Sequence, residues 1–247
     1  MAKNRVALVT GGSRGIGRGI CMALAHAGIS VALNYNVSDS SAEDVKNAIE
    51  VFGGRVIIVK ADVCDEDSVK NMVKNAVAHF GCLDILINCA GIMPTDPIEA
   101  MSFDSWKKVL DTNLTSCFLT IREAIPYLKN SACPRIINIG SQAAFTGSSH
   151  HSHYSASKAG ILGLTYSLAK ELGPLGITVN VVSPGRVDTE LLAYCSLERK
   201  QEWLASTPLN RLGTDSEIAN AVVFLASESA SYITGANLNV NGGMLMG

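Results

Sequence analysis

The sequence predicts an α/β protein: one domain over residues 1–247, with a doubly wound parallel sheet of seven strands and helices on both faces. Three observations carry this. Short β-branched runs alternate with helix-period segments, joined by short links, which is the pattern of right-handed strand–helix–strand units. The first strand runs into a glycine-rich turn that opens a helix. At 247 residues and 47% hydrophobic content, the chain is long and apolar enough for one large core.

Arg5 to Thr10 reads as a buried strand, followed by a glycine turn and an apolar helix to about Ala27, with a stop at Gly28. Ser30 to Tyr35 is the second strand. Ser41 to Phe52 has helical spacing at Val45, Ala48, Ile49 and Phe52 and stops at Gly53-Gly54. Val56 to Ala61 is the third strand. Asp65 caps a helix with Val69, Met72, Val73, Ala76, Val77 and Phe80 on one face, ended by Gly81. Leu83 to Ile87 is the fourth strand. Ser102 to about Asn130 reads as one or two helices, with Asn113 as a possible bend and Pro126 as a possible kink. Arg135 to Gly140 and Ile177 to Ser183 are strands five and six, flanking a long apolar helix that begins at Tyr154. Residues 186–212 are irregular, with Leu191, Leu192, Tyr194, Leu197 and Trp203, and read as an amphipathic lid over a substrate cleft. Thr214 to Glu217 is a capping box, and Leu238 to Val240 is the last strand.

Composition narrows the function. Net charge is -2, which argues against nucleic acid or an anionic membrane as partner. No apolar run reaches the roughly 18 residues of a transmembrane helix, and the N-terminus shows no signal-peptide pattern, so a cytoplasmic protein is expected. The seven cysteines include no Cys-x-x-Cys and read as reduced, buried thiols.

The chemistry-bearing residues concentrate at predicted strand ends, where open α/β sheets place ligands. Thr10-Gly11-Gly12-Ser13-Arg14-Gly15-Ile16-Gly17 offers bare backbone and a helix N-terminus to a phosphate. The second strand ends Asn34-Tyr35-Asn36, with no acid to accept the ribose hydroxyls of NAD; Asp39 comes too late. Arg14 is placed to meet an additional phosphate, unless it is merely solvated. These features favour NADP(H) over NAD(H). Tyr154 and Lys158 lie one turn apart on a helix face. A free tyrosine titrates at about 10, too high for acid/base work near neutrality, and an adjacent lysine favours the phenolate. Alone, the motif is far more often a surface tyrosine and a snorkelling lysine, because short motifs match by accident. His150, His151 and His153 precede it and read as polar substrate contacts or solvated side chains, with no metal expected.

Taken in order, Thr10 to Gly17, Asp62-Val63, Asn88-x-Ala90-Gly91, Asn113, Ser141, Tyr154-x-x-x-Lys158, Pro184-Gly185 and Thr189 resemble the short-chain dehydrogenase/reductases of the non-extended subfamily, over essentially the whole chain. The resemblance implies a Rossmann-type fold and interconversion of a ketone and a secondary alcohol. By resemblance, Tyr154 is the acid/base, Lys158 assists it and holds the nicotinamide ribose, and Ser141 binds the substrate oxygen. Asn113 would hold a water that links Lys158 to solvent. Gly11, Ser13, Arg14, Gly15, Ile16, Gly17, Asn34, Tyr35, Asn36, Asp62, Val63, Asn88, Ala90, Gly91, Pro184, Gly185, Val187 and Thr189 would line the cofactor, together with Tyr154 and Lys158. Cys89 departs from the usual second Asn.

Within the family, Ile177 to Gly185, Tyr232 to Gly235 and Val240 to Met244 look most like 3-oxoacyl-[acyl-carrier-protein] reductases, implying a thioester or small-molecule carbonyl substrate and a homotetramer. The positions aligned with that group's carrier-docking cations are neutral, Ala132 and Leu175, which leaves Lys129 or Arg135 as substitutes. Sugar, polyol, steroid or general carbonyl substrates are the alternative within the family. A catalytically silent NADP(H)-sensing protein is the alternative from another class.

Overall fold

A computed structural model describes residues 5–189 and 197–246. Its strands are β1 (Val6–Val9), β2 (Ser30–Tyr35), β3 (Val56–Lys60), β4 (Ile85–Asn88), β5 (Arg135–Ile139), β6 (Thr178–Pro184) and β7 (Asn237–Val240). They form one all-parallel sheet in the order β3-β2-β1-β4-β5-β6-β7. The order reverses between β1 and β4, so a crevice opens at their carboxyl ends.

Successive β1 side chains feed opposite layers. Ala7 and Val9 join a cluster with Ile20 and Leu24 of α1 (Gly15–His26), Val45 and Ile49 of α2 (Asp39–Val51), and a later helix. Val6 and Leu8 join Val69, Met72 and Val73 of α3 (Glu66–Phe80) on the other face. Sequence periodicity locates these helices because the period of 2 in strands and 3.6 in helices decides which residues reach water. Local signals set their ends: Asp65 accepts from the Ser68 backbone N–H at 2.7 Å, and Gly81 ends α3 at φ +84°. Leu24 is fully buried between sheet and helices. Leu24→Ala is therefore expected to cost about 2–5 kcal/mol of unfolding free energy, measurable by denaturant titration.

The segment after β4 holds α4 (Phe103–Leu110) and α5 (Ser116–Leu128), joined by a wide π turn over Asp111–Thr115 that contains Asn113. The bend foreseen at Asn113 is thus an inserted π turn, a feature frequent at functional sites. Pro126 remains within α5. Short α6 (Ala143–Thr146) precedes α7 (Ser152–Leu172), which begins two residues before Tyr154. Part of the region read as irregular is ordered: α8 covers Leu197–Ala205, and Val187 bridges Gly213. Leu191, Leu192 and Tyr194 lie outside the described residues. The foreseen capping box forms, with the Thr214 side chain and Glu217 bonding each other's backbone at the start of α9 (Asp215–Ala226), which completes the first core layer with Ile218 and Val222. No helix among the described residues is long and apolar enough to cross a membrane.

Candidate active site

The glycine turn closes on itself so tightly that side chains are excluded. A Cβ on Gly17 would lie 2.1 Å from the Gly11 carbonyl oxygen. Gly11 has φ +65°, and a Cβ there would come within 2.9 Å of the Ala90 Cα. The β1 turn and the segment after β4 therefore share one wall. Thr10 seals it: its Oγ1 accepts from the backbone N–H of Cys89 (3.0 Å) and of Ala90 (3.1 Å). The first turn of α1 has no side-chain cap and no acidic residue. Ser13 is buried, and Gly15 and Ile16 are partly open. Uncapped N–H groups at a helix N-terminus suit a phosphate.

At the rim, Arg14 is exposed and no described residue pairs with its guanidinium. Asn36 is exposed in the link that follows β2. Asn34 does a different job from the one its position suggested. It is buried; its Oδ1 accepts from the Gly11 N–H at 3.3 Å and its Nδ2 donates to the Val59 and Ala61 carbonyls at 3.2 and 3.0 Å. It clamps the turn to β3. Tyr35 donates to Asp39 Oδ1 at 2.7 Å, and Asp39 pairs with Lys60 at 3.1 Å. The shared hydrogen bond holds Tyr35 above the ordinary phenol range and Asp39 below the ordinary carboxylate range. Asp62 folds over Cys64, its Oδ1 accepting the Cys64 N–H at 2.9 Å, and Val63 is buried next to it.

Asn88 is likewise internal. It accepts from Thr120 Oγ1 at 2.6 Å and donates to Asn138 Oδ1 at 2.8 Å, and Asn138 donates on to Thr165 at 2.9 Å. This buried relay ties α5, β4, β5 and α7 together. Gly91 gives room beside it: a Cβ there would meet Asn113 Oδ1 at 3.3 Å and Lys158 Nζ at 3.8 Å. Asn113 is fully buried and has no spare side-chain atom. It accepts from the Ile92 N–H (2.8 Å) and donates to the Ile92 carbonyl (3.0 Å) and to Ser157 Oγ (3.1 Å). A water linking Lys158 to solvent would have to use the Asn113 main chain.

Lys158 is buried, and its Nζ donates to the Ile139 carbonyl at the end of β5 (2.7 Å) while lying 5.7 Å from the Tyr154 ring centroid. Ser141 follows Ile139 by two residues and is buried, with its Oγ accepting from the Ala143 N–H at 3.1 Å. Tyr154 is half-buried. Asn113, Tyr154 and Lys158 thus converge beside the β5 end that carries Ser141. The Ile139 carbonyl and Ser157, neither singled out in the sequence, complete the support. Ser157 was findable only as a polar residue on the inner face of an apolar helix.

Cys89, the departure from the family pattern, has its thiol pushed up to about 12 by desolvation, against the pull of the Lys158 cation. It stays a neutral thiol near neutral pH. Cys21 and Cys117 are buried, but Cys64 is exposed, so the expectation of uniformly buried thiols fails there; Cys195 lies outside the described residues. No group of three or more His, Cys, Asp or Glu among the described residues could hold a metal ion. His150 is exposed, whereas His151 and His153 are buried and hydrogen-bonded, against the expectation of solvated side chains. Arg135 is also buried, donating to the Ser227 and Pro134 carbonyls, and cannot serve as a docking cation.

The chain after β6 folds back over this crevice. Gly185 is pressed against Asn241, where a Cβ would sit 2.8 Å from the Asn241 Cα. Pro184 and Val187 are buried, and Thr189 reaches the glycine turn, 3.6 Å from where a Gly15 Cβ would stand. Arg186 lies over the Trp203 ring at 5.0 Å and holds α8 to this segment. Together, an uncapped helix N-terminus, a bare glycine turn, an unpaired arginine at the rim and a tyrosine–lysine pair deeper in the crevice fit a dinucleotide.

Comparison with known proteins agrees. Residues 11–245 match a family model described as enoyl-(acyl carrier protein) reductase. The 3-oxoacyl-[acyl-carrier-protein] reductase FabG of Staphylococcus aureus is 44% identical over 246 residues, the whole of both chains. FabG of Salmonella typhimurium is 40% identical over 244 residues, 99% of this chain and 98% of its own. Among solved structures, a dehydrogenase/reductase from Sinorhizobium meliloti superposes with a TM-score of 0.93 at 37% identity, covering 98% of this chain and 95% of its own. A doubly substituted Serratia marcescens short-chain dehydrogenase/reductase gives 0.93 at 40% identity, covering 98% of each. The chain belongs to the short-chain dehydrogenase/reductase family and is an oxidoreductase of the CH–OH/C=O couple that works with a nicotinamide cofactor.

Proposed function

We propose that this protein is an NADP(H)-dependent reductase of the 3-oxoacyl-[acyl-carrier-protein] type, with Tyr154 as acid/base. The observation that carries the reading is the Lys158 cation held by the Ile139 carbonyl at 2.7 Å and facing the Tyr154 ring. In the reductive direction Tyr154 gives its phenolic proton to the carbonyl oxygen, and Ser141 Oγ donates a hydrogen bond to the same atom. Lys158 favours the negative charge left on the phenol oxygen. The nicotinamide, when bound, supplies the hydride. Gly11, Gly15, Ile16 and Gly17 would hold its pyrophosphate, Asp62 and Val63 its adenine, and Thr189 its carboxamide. Residues 186–212 act as the lid.

Arg14 carries the choice of NADP(H), as an exposed guanidinium at the start of α1 with no partner among the described residues. Arg14→Ala is expected to raise KM for NADPH by roughly tenfold or more, about the 1.5–3 kcal/mol of a charge-assisted hydrogen bond, and to leave KM for NADH within about twofold. Equal effects on both nucleotides in steady-state assays would remove Arg14 from this role. The exposed Phe103 and Phe118 near α4 and α5, with Phe224 and Tyr232 on the α9 side, support a homotetramer, which light scattering would test.

A second reading is favoured by one surface. Ala132 and Leu175 are exposed and neutral, and Arg135 is buried, so of the two substitute cations Lys129 alone is open to an acidic carrier protein. A free keto-sugar, steroid or small ketone is then the substrate. NADPH oxidation against an acetoacetyl thioester and each of these ketones separates the readings. Turnover of the thioester supports the first and turnover of another ketone alone the second. Bound NADPH without turnover leaves a nucleotide sensor.

A further inference from the structure

We propose that His153, oriented by Asp96, is a positioning residue that sets the place of Tyr154. This inference rests on the reading of Tyr154 as acid/base. His153 is fully buried in the first turn of α7, immediately before Tyr154. A buried imidazole is tolerated when both ring nitrogens have partners. Here they do, and the partners decide the tautomer. Nδ1 lies 2.9 Å from the Tyr154 backbone nitrogen, whose N–H can only donate, so Nδ1 is the unprotonated acceptor. Nε2 therefore carries the proton and donates to Asp96 Oδ2 at 3.3 Å. Asp96 also accepts from Ser105 Oγ in the first turn of α4. The Ser105 hydrogen bond, and then His153, hold the Asp96 carboxyl below its ordinary range, so it stays an anion and a constant acceptor.

The contact to Tyr154 fills a gap in the helix. The first N–H groups of a helix lack internal partners, and α7 has no side-chain cap at His151. His153 satisfies the N–H of Tyr154 from within the turn. The other side of the same residue is held too: the Tyr154 carbonyl accepts from Ser157 Oγ at 2.7 Å, and Ser157 is bonded by Asn113 at 3.1 Å. The Tyr154 backbone is thus gripped at both its N–H and its C=O.

The grip extends to the neighbouring loop. The Asp96 N–H donates to the His150 carbonyl at 2.9 Å, with His150 in the left-handed region at φ +62°. His151 Nδ1–H donates to the Ser149 carbonyl at 2.6 Å, which leaves Nε2 to pair with Thr95 Oγ1 at 3.2 Å. Three contacts therefore fasten the segment after β4 to the start of α7, and His153–Asp96 is the one that ends on Tyr154. Misplacing a catalytic group by about 1 Å can cost roughly 10²-fold in rate. Neither His153 nor Asp96 needs to touch substrate to matter.

The test uses the purified full chain with NADPH and the best ketone of the panel above. The variants are His153→Leu, His153→Asn, Asp96→Ala and, as reference, Tyr154→Phe. The readouts are kcat, KM, nucleotide Kd from NADPH fluorescence, and Tm. His153→Leu is expected to lower kcat by roughly 10–100-fold, with KM and Kd within about threefold. Asparagine can place an amide oxygen near the Nδ1 position, so His153→Asn recovers kcat to within about fivefold of the native protein. Asp96→Ala, at a partly exposed side chain, lowers kcat in the same manner and carries the test if His153→Leu does not fold. Unchanged kcat in His153→Leu or Asp96→Ala overturns the proposal. So does a parallel decline of kcat, KM and Tm that asparagine does not relieve. Tyr154→Phe separates the two levels. If that variant keeps turnover, the acid/base reading itself fails. If it is inactive while the His153 and Asp96 variants are normal, only the positioning role fails.

Discussion

Tyr154→Phe is expected to lower kcat by roughly 10²–10⁴-fold, the usual worth of a positioned general acid/base. The substitution removes one oxygen from a half-buried side chain. Among the described residues no hydrogen bond to the Tyr154 hydroxyl supports the fold, and the residue's backbone contacts to His153 and Ser157 remain available. The loss should therefore fall on chemistry alone. Tm should stay within about 2 °C, because a substitution without a packing change alters stability by less than about 0.5 kcal/mol. NADPH affinity, read from fluorescence, should change less than about threefold. A variant with near-native kcat would mean that another group protonates the carbonyl oxygen, and the assigned mechanism would be wrong.

Gly17→Ala should act on binding instead. Its Cβ would stand 2.1 Å from the Gly11 carbonyl oxygen and 2.9 Å from the Gly11 carbonyl carbon. Both are backbone atoms, so no side-chain rotation can relieve the contact. The turn has to open. Gly11 packs so closely on Ala90 that a Cβ on it would come within 2.9 Å of the Ala90 Cα, so the displacement passes to the segment after β4. Overpacking of this kind costs about 1–3 kcal/mol of stability. The larger effect is on the nucleotide, since the displaced N–H groups are those offered to its phosphates. NADPH affinity should fall by roughly 100-fold or more by isothermal titration, equivalent to about 2.7 kcal/mol. A variant that binds NADPH normally would show that this turn does not carry the pyrophosphate.

The strands, the helices and most of the tyrosine–lysine chemistry were legible in the sequence because they depend on neighbours close along the chain. Period-2 and period-3.6 patterns separate buried from exposed positions locally. The Asp65 cap and the Thr214–Glu217 box are three-residue events. The Tyr154–Lys158 pairing needs only one helical turn. The order of motifs then identified the family.

What only the tertiary structure decided is where polar side chains spend their hydrogen bonds. Asn34 and Asn88 sit at carboxyl ends of strands beside the crevice, yet both are consumed inside the scaffold by partners as distant in sequence as Ala61 and Asn138. Arg135 was a plausible docking cation until its guanidinium proved to be bonded to the Ser227 carbonyl. His153 reads as a loop histidine in sequence, and becomes a buried acceptor for Tyr154 only because Asp96 arrives from the segment after β4. Burial of a polar group is tolerated when partners saturate it. Those partners come together through the packing of sheet and helices, so no window of sequence contains them. The sequence alone therefore determined the architecture and the candidate reacting groups; the folded structure decided which polar residues are spent inside the scaffold and which stay open at the crevice.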